Sequence, residues 1–265
     1  MHDVIAKQAV AKSFSQAAKD YDDFAHFQHE LATDLIKLCP EIASPNILDL
    51  GCGTGYCMPL LSKHYKKAQL TGADIAPGML AWAKQQHPDF EFLQADAENL
   101  PFENQFDLIF SNLAVQWCDS FNKVLGEAFN SLKPGGYLVL STLAEGTLDE
   151  IKQAWSEVDE YQHVNQFEPE SELLNDIEHS DFEVASVNVA TYTDYHPDVR
   201  SLTDSLKRIG AHNITGGRAK GLTSPRAVKQ FMQVMENYRN DSGLPGSYRV
   251  LSCCLHKPFK EEKHS

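Results

Sequence analysis

Residues 47–56 read ILDLGCGTGY, a short apolar run carrying one Asp that gives way to three glycines alternating with small residues. Ile47, Leu48 and Leu50 read as a buried strand. Gly51, Gly53 and Gly55 permit positive φ and let a ligand come close to the main chain. Apolar residues at Met58, Leu60, Leu61 and Tyr65 predict a helix from Tyr56 to Lys67. Strand, glycine turn and helix N-terminus form a general holder for nucleotide-like ligands. The spacing departs from the dinucleotide pattern G-x-G-x-x-G, because the third glycine falls one residue early and Tyr56 takes its place. That disfavours a pyrophosphate cradle and a nicotinamide oxidoreductase. A tight turn with no ligand is the plain alternative.

Three further stretches follow in the order an α/β unit requires. LTGADIAPGML (70–80) reads as a second strand ending at Asp74, then a turn and a helix. Asp74 lies 19 residues past Gly55, close to the spacing at which an acidic side chain takes ribose hydroxyls; Asp also suits a helix N-cap. In FLQADAENLPFENQFDLIFSNLAVQW (92–117) a strand ends near Leu93 and Asp96 follows in the loop. Another strand, Phe106–Phe110, ends in Ser111 and Asn112. Strand ends on one edge of a parallel sheet share a crevice, so Gly51, Asp74, Asp96 and Asn112 are expected together.

With LKPGGYLVLST (132–142), these motifs resemble the class I S-adenosylmethionine-dependent methyltransferases over roughly residues 45–143. The resemblance implies a Rossmann-like α/β fold whose seven-stranded, mostly parallel sheet has its last strand antiparallel, with helices on both faces. It also implies S-adenosylmethionine as cofactor and no metal. By position, Gly51, Gly53 and Gly55 would approach the methionine portion and Asp74 the ribose. Ile75 and Met79 would pack on the adenine, Asp96 and the Ala97 backbone would read its edge, and Asn112 and Leu113 would lie under the sulfonium.

A chain of 265 residues with 42% hydrophobic content suffices for one large core. Its six cysteines include no C-x-x-C pair or local zinc-type Cys/His cluster. Cys52, Cys253 and Cys254 read as buried reduced thiols, which points to a reducing compartment. No signal-peptide-like core or apolar run of membrane-spanning length occurs, so a soluble cytoplasmic protein is expected. The net charge of −14 disfavours nucleic-acid binding. The charge is unevenly spread. Residues 200–229 hold seven bases (Arg200, Lys207, Arg208, Arg218, Lys220, Arg226, Lys229) against Asp204 alone, whereas residues 145–183 hold thirteen acids against Lys152.

A single domain is expected over 1–265. Residues 1–45 form an N-terminal helical lid segment, with 4–38 reading as helix. Residues 46–195 and 246–257 form the core, and 196–240 a helical insertion that adds to the lid. Within it, 198–212 and 225–238 read as helices joined by a loop. Residues 182–195 and 247–256 read as strands, and KPFKEEKHS (257–265) as a frayed tail.

FSQAAKDYDDFAHFQHELA (14–32), SNLAVQWC (111–118), QAWSEVDEYQHVNQF (153–167) and SLKRIGAHNITGGR (205–218) are similar to the malonyl-acyl-carrier-protein O-methyltransferases of biotin synthesis, which extends the resemblance to nearly the whole chain. That family esterifies the free carboxylate of a malonyl thioester. A carboxylate with a pKa of about 4 is already ionised at pH 7, so the site should offer a clamp and no general base. Candidates for it are Tyr21, Lys207 and Arg218; Gln28 would face the cofactor, while Gln116 and Trp117 could line the acceptor pocket. His212 reads as a polar loop residue. Acyl carrier protein would dock on the seven-residue basic segment, whose plain alternative is a solvated pair of helices. The competing functions are methylation of a free polycarboxylate such as aconitate, and binding of S-adenosylmethionine without chemistry.

Overall fold

The computed structural model describes residues 7–208 and 224–259. Helices α1 (Lys7–Ala17), α2 (Tyr21–Phe24) and α3 (His26–Ile36) precede strand β1 (Asn46–Leu50). Next come α4 (Cys57–His64), β2 (Gln69–Asp74), α5 (Pro77–Gln86), β3 (Glu91–Gln94), β4 (Phe106–Asn112), α6 (Phe121–Ser131) and β5 (Leu132–Leu143). The described chain ends with α7 (Asp149–Ser156), α8 (Glu170–Glu178), β6 (Glu183–His196), α9 (Val199–Arg208), α10 (Pro225–Met235) and β7 (Leu244–His256).

The strands form one seven-stranded sheet in the order β3-β2-β1-β4-β5-β7-β6. β1 to β5 pair in parallel, and β7 runs antiparallel to both β5 and β6. This is the expected Rossmann-like arrangement with its last strand reversed. Strand order turns back between β1 and β4, and at such a point the carboxyl ends of parallel strands open a crevice.

Alternation along each strand divides the core. Ile47, Leu108, Phe110 and Val139 pack with α3, α4 and α5 on one face. Leu48, Leu50, Ile109, Leu138 and Leu140 pack with α6 and α8 on the other. Each such fully buried side chain contributes about 1.5–3 kcal/mol relative to exposure. A third cluster gathers Phe27 and Leu31 of α3, Ile151 of α7, Leu202 of α9, Phe231 of α10 and Tyr248 of β7. The helices beside β6 and β7 are thereby joined to the N-terminal segment.

Three local expectations need correction. The described part of the stretch read as helix over 4–38 is three helices, because the chain turns at residues 18–20 and again at Ala25, which is fully buried at φ −88°, ψ 34°. The helix after the glycine turn spans only Cys57–His64. Tyr65 leaves it in an extended conformation, its ring buried and its hydroxyl donating to Pro40 O. The start of the supposed frayed tail is anchored: Lys257 is 6% exposed and donates from Nζ to Phe129 O and Leu132 O, both at 2.7 Å. Those carbonyls close the C-terminal end of α6, where a cation is favoured.

Candidate functional site

At the carboxyl edge of β1, β2 and β4 lies a cleft whose empty space, open mouth included, is about 780 Å³. Gly51, Gly53, Asp74, Ile75, Met79, Asp96, Ala97, Asn112 and Leu113 line it. Tyr21 and Trp117 line it as well, and α1 contributes Lys7, Val10 and Phe14.

The glycine turn is built for close approach. Gly51, at φ +74°, has no room for a side chain, since a Cβ there would stand 2.1 Å from that of Ala114. Gly53, at φ +54°, faces open space, so any side chain there would occupy the cleft that Gly53 lines. Gly55 does not line the cleft. Its φ is +83°, and a Cβ would meet His87 at 2.9 Å and the Phe92 ring at 3.2 Å, so this glycine serves the packing of the turn.

Asp74 holds the turn in place. Its Oδ2 accepts from Gly53 N at 2.9 Å and its Oδ1 from Ala76 N at 2.7 Å. Burial raises its pKa against these amides. Asp49, 1% exposed, lies on β1 beneath the same turn; burial and then the Asp74 charge push it up to about 8. At the end of β4, Leu113 sits at φ +50° and its N donates to Ser141 Oγ. Ser141 Oγ donates to Asn112 Oδ1, and Asn112 Nδ2 donates to the backbone oxygen of Gln28. The Gln28 side chain itself does not line the cleft.

Each N-terminal helix ties down a different part of the cleft. Lys7 Nζ reaches Asp96 Oδ2 at 2.6 Å and Glu98 Oε2 at 2.7 Å. α1 rests on α5 at Gly78, whose N donates to Ser15 Oγ and whose bare Cα leaves room for the Ser15 backbone. Asp22 Oδ1 accepts from Thr54 Oγ1 in the glycine turn at 2.9 Å and lies 3.2 Å from His29 Nε2. The His29 ring stacks on Tyr56 at 3.5 Å. Phe14 meets Trp117 edge-on at 5.4 Å. Burial first, then Asp22, Asp74 and Cys57, push the Tyr21 phenol well above its ordinary range, so it stays protonated and able to donate.

The other clamp candidates lie elsewhere. Lys207 is 68% exposed and 3.9 Å from Asp204. Arg208 is engaged by the N-terminal segment, with its guanidinium 5.0 Å above the Phe24 ring and 3.4 Å from Asp20. Arg200 is 84% exposed, and Arg226 and Lys229 are exposed on α10. Arg218, Lys220 and His212 lie outside the described residues. Gln116 donates to Leu113 O and does not line the cleft. Among the described residues no His, Cys, Asp and Glu cluster is arranged to hold a metal. Sequence reasoning missed Lys7, Val10 and Phe14, since residues on an amphipathic helix carry no mark of which sheet edge it will cover.

A methyltransferase-domain family model matches residues 48–140. The malonyl-[acyl-carrier protein] O-methyltransferase of Hahella chejuensis is 37% identical over 252 residues, covering 94% of this chain and 90% of that protein. The chain belongs to this family. The biotin biosynthesis bifunctional protein BioHC of Cellvibrio japonicus is 39% identical over 257 residues, and this chain spans about half its length (96% of this chain, 51% of that protein). Among solved structures, the YcgJ protein of a Bacillus superposes with a TM-score of 0.60 at 19% identity, over 88% of this chain and 99% of its own. A Streptomyces coelicolor geranyl diphosphate C-methyltransferase, solved with S-adenosyl-L-homocysteine, gives 0.54 at 12% identity, over 86% and 75%. These two likenesses concern the fold. The described helices include none long and apolar enough to cross a membrane.

Proposed function

We propose that this chain transfers a methyl group from S-adenosylmethionine to the free carboxylate of malonyl-acyl carrier protein, giving the methyl ester that enters pimelate and biotin synthesis. The observation that carries this reading is one cleft, in a member of this family, that joins Gly51, Gly53, Asp74, Asp96 and Asn112 beneath a helical cover.

The residues fit the cofactor. Bare backbone at Gly51 and Gly53 leaves space for the methionine portion. Asp74 keeps acceptor capacity for ribose hydroxyls beyond the backbone amides that donate to it. Ile75 and Met79 offer apolar contact to an adenine, Asp96 accepts from its amino group, and Ala97 N can donate to its ring. Asn112 and Leu113 are held by Ser141 so that the floor of the site is rigid. When bound, S-adenosylmethionine supplies an electrophilic methyl group on a sulfonium.

Everything else asked of the chain is binding and alignment. The acceptor carboxylate is ionised at neutral pH, so no residue has to remove its proton. The protonated Tyr21 hydroxyl is the clamp donor with the strongest support, because it lines the cleft. Arg218, following Gly216 and Gly217, is retained as a second. Orientation of two reactants can be worth about 7–11 kcal/mol, and α1 and α2, which line the cleft through Lys7, Val10, Phe14 and Tyr21, are placed to shield the reacting carboxylate from water. Lys207 is assigned to docking of the carrier, with Arg200, Arg226 and Lys229, Arg218 and Lys220. Arg208 belongs to the same segment, but Asp20 already partly neutralises its charge.

The test is mass spectrometry of malonyl-acyl carrier protein incubated with the protein and S-adenosylmethionine, beside malonyl-CoA, free malonate and aconitate. The carrier-bound thioester should gain one methyl group, dependent on enzyme and cofactor, and free acids should react far more slowly. Methylation of a free acid alone would move the chain to the polycarboxylate reading. Cofactor binding with no methylated product from any acceptor would leave a binding protein.

A further inference from the structure

Tyr21 is carried by a helix too short to hold its own position. α2 spans only Tyr21–Phe24, and the side chain of its N-cap, Asp20, makes no capping hydrogen bond. A single helical turn is unstable without tertiary contacts. The Tyr21 ring lies 6.4 Å from that of Phe14 on α1. Two polar contacts flank the helix. On one side Arg208 of α9 meets Asp20 and Phe24 across an exposed surface, where ion pairs are weak. On the other side Asp22 reaches the glycine turn.

That second contact is the stronger. Asp22 Oδ1 accepts from Thr54 Oγ1 at 2.9 Å. Thr54 is 2% exposed, so its hydroxyl needs an acceptor from the protein. The same carboxylate oxygen lies 3.2 Å from His29 Nε2, and the His29 ring stacks on Tyr56 at 3.5 Å between centroids. Thr54 and Tyr56 flank Gly55 directly ahead of α4, so one carboxylate gathers α2, α3 and the turn. Gln28, beside His29, is held through its backbone oxygen by Asn112 at the end of β4. Asp22 itself does not line the cleft. Its plain alternative is a solvated surface acid, since its side chain is 42% exposed. The partner argues otherwise, because a buried hydroxyl and not a surface lysine takes the hydrogen bond. Tyr21 is the preceding residue, so any shift of Asp22 moves the phenol.

We propose, on the reading of Tyr21 as the clamp donor, that Asp22 is a positioning residue. Tied to Thr54 and His29, it fixes α2 against the glycine turn and thereby holds the Tyr21 hydroxyl at the acceptor carboxylate. The turn that lies against the cofactor and the helix that carries the clamp then move as one unit. Slack in such a support matters, since a misplacement of about 1 Å can slow a reaction roughly 100-fold.

Steady-state methylation of malonyl-acyl carrier protein at saturating S-adenosylmethionine tests this in wild type, Asp22→Ala, Thr54→Val and Thr54→Ser, each with Tyr21 intact and with Tyr21→Phe. Calorimetry on the same proteins gives S-adenosylhomocysteine affinity. Asp22→Ala and Thr54→Val should each lower kcat/KM for the acceptor roughly tenfold. Thr54→Ser keeps the hydroxyl and should stay within about twofold of wild type. S-adenosylhomocysteine affinity should change by less than about threefold, because neither Asp22 nor Thr54 lines the cleft. With Tyr21→Phe already made, Asp22→Ala should cost less than about twofold more, since the support has no hydroxyl left to place. Equal losses in the two backgrounds, or a fall in cofactor affinity that matches the fall in kcat/KM, would mean that Asp22 only stiffens the turn, and would overturn the proposal while leaving Tyr21 as the clamp. If Thr54→Val folds poorly, Asp22→Ala decides alone, its side chain being half-exposed. A Tyr21→Phe protein with wild-type kinetics would remove the clamp reading and the role of Asp22 with it. No methylated product from the wild type would remove the proposed function as well.

Discussion

Lys7 Nζ lies 2.6 Å from Asp96 Oδ2, so the first described helix is pinned by its charge to the loop expected to read the adenine. The same ammonium holds Glu98, which is 3% exposed and accepts from the N of Asp119 and Ser120 at the entrance to α6. Burial would lower the Lys7 pKa, but Asp96 and Glu98 together raise it. Burial would raise Asp96, but Lys7 and the Glu98 amide hold it below the usual carboxylate range. Lys7→Met should loosen the cover and weaken cofactor binding by roughly 3–10-fold, measured by calorimetry. The Asp96 contribution to stability should be complete above its ordinary value of 3.8 and vanish as pH falls through the depressed folded value. A variant with wild-type affinity and unaltered acid unfolding would remove Lys7 from the site.

Asp74 combines two tasks, holding the turn and offering acceptors to the cleft. Asp74→Asn loses charge-assisted acceptance, and its NH2 must face the N–H of either Gly53 or Ala76. Cofactor affinity should fall roughly 10–100-fold, with the far-ultraviolet spectrum little changed and the thermal midpoint lowered. Undiminished affinity would show that the ligand does not present hydroxyls there.

Two glycine-to-alanine changes should act in opposite directions. At Gly51 the new Cβ would stand 2.1 Å from that of Ala114, with φ at +74°, so Gly51→Ala should distort the turn and abolish cofactor binding. Gly126 lies exposed within α6 with nothing near its absent side chain. Gly126→Ala should stabilise the protein by about 0.5–1 kcal/mol and leave binding alone. Chemical denaturation and ligand titration on the same pair check both.

Lys257 joins the segment after β7 to the end of α6. Its Nζ donates to Phe129 O, Leu132 O and Asn104 Oδ1, and it stands 4.6 Å over the Phe129 ring. Lys257→Met would leave buried carbonyls without a donor, and the expected cost is roughly 2–4 kcal/mol, seen as a Tm fall of roughly 5–10 °C. The kcat at low temperature should stay near wild type. A Tm within one degree of wild type would reduce Lys257 to a bystander.

What could be read from sequence follows from how parallel sheets work. Gly51, Asp74, Asp96 and Asn112 each sit at or just past a strand's carboxyl end, and such ends converge on one edge wherever the helices lie. Motif order along the chain therefore carried most of the cleft. Lys7 was not legible, because its position depends on α1 docking through Ser15 against Gly78, a contact 63 residues apart. Lys257 was hidden by its neighbours: KPFKEEKHS has the composition of a solvated tail, and only the α6 carbonyls give its first residue a place. Arg208 belongs to a basic run, yet its partners are Asp20 and Phe24 of the N-terminal segment. Gly55 shares the spacing of its two companions but faces His87 and Phe92.

The exposed basic residues of α9 and α10 give the last prediction. Lys207, Arg226 and Lys229 project from helices beside a chain that is otherwise strongly acidic. An acidic carrier would be steered to them over roughly 10 Å at 0.1 M salt. Lys207→Glu combined with Arg226→Glu and Lys229→Glu should lower kcat/KM for malonyl-acyl carrier protein more than tenfold at low ionic strength. Rising salt, which weakens the wild-type reaction, should leave the variant nearly unaffected or improve it. Cofactor affinity and turnover of a short malonyl thioester should not change, because none of the three side chains lines the cleft. If the folded variant kept wild-type kcat/KM and salt dependence on the carrier-bound substrate, this face would be an ordinary solvated surface and the carrier would have to dock elsewhere.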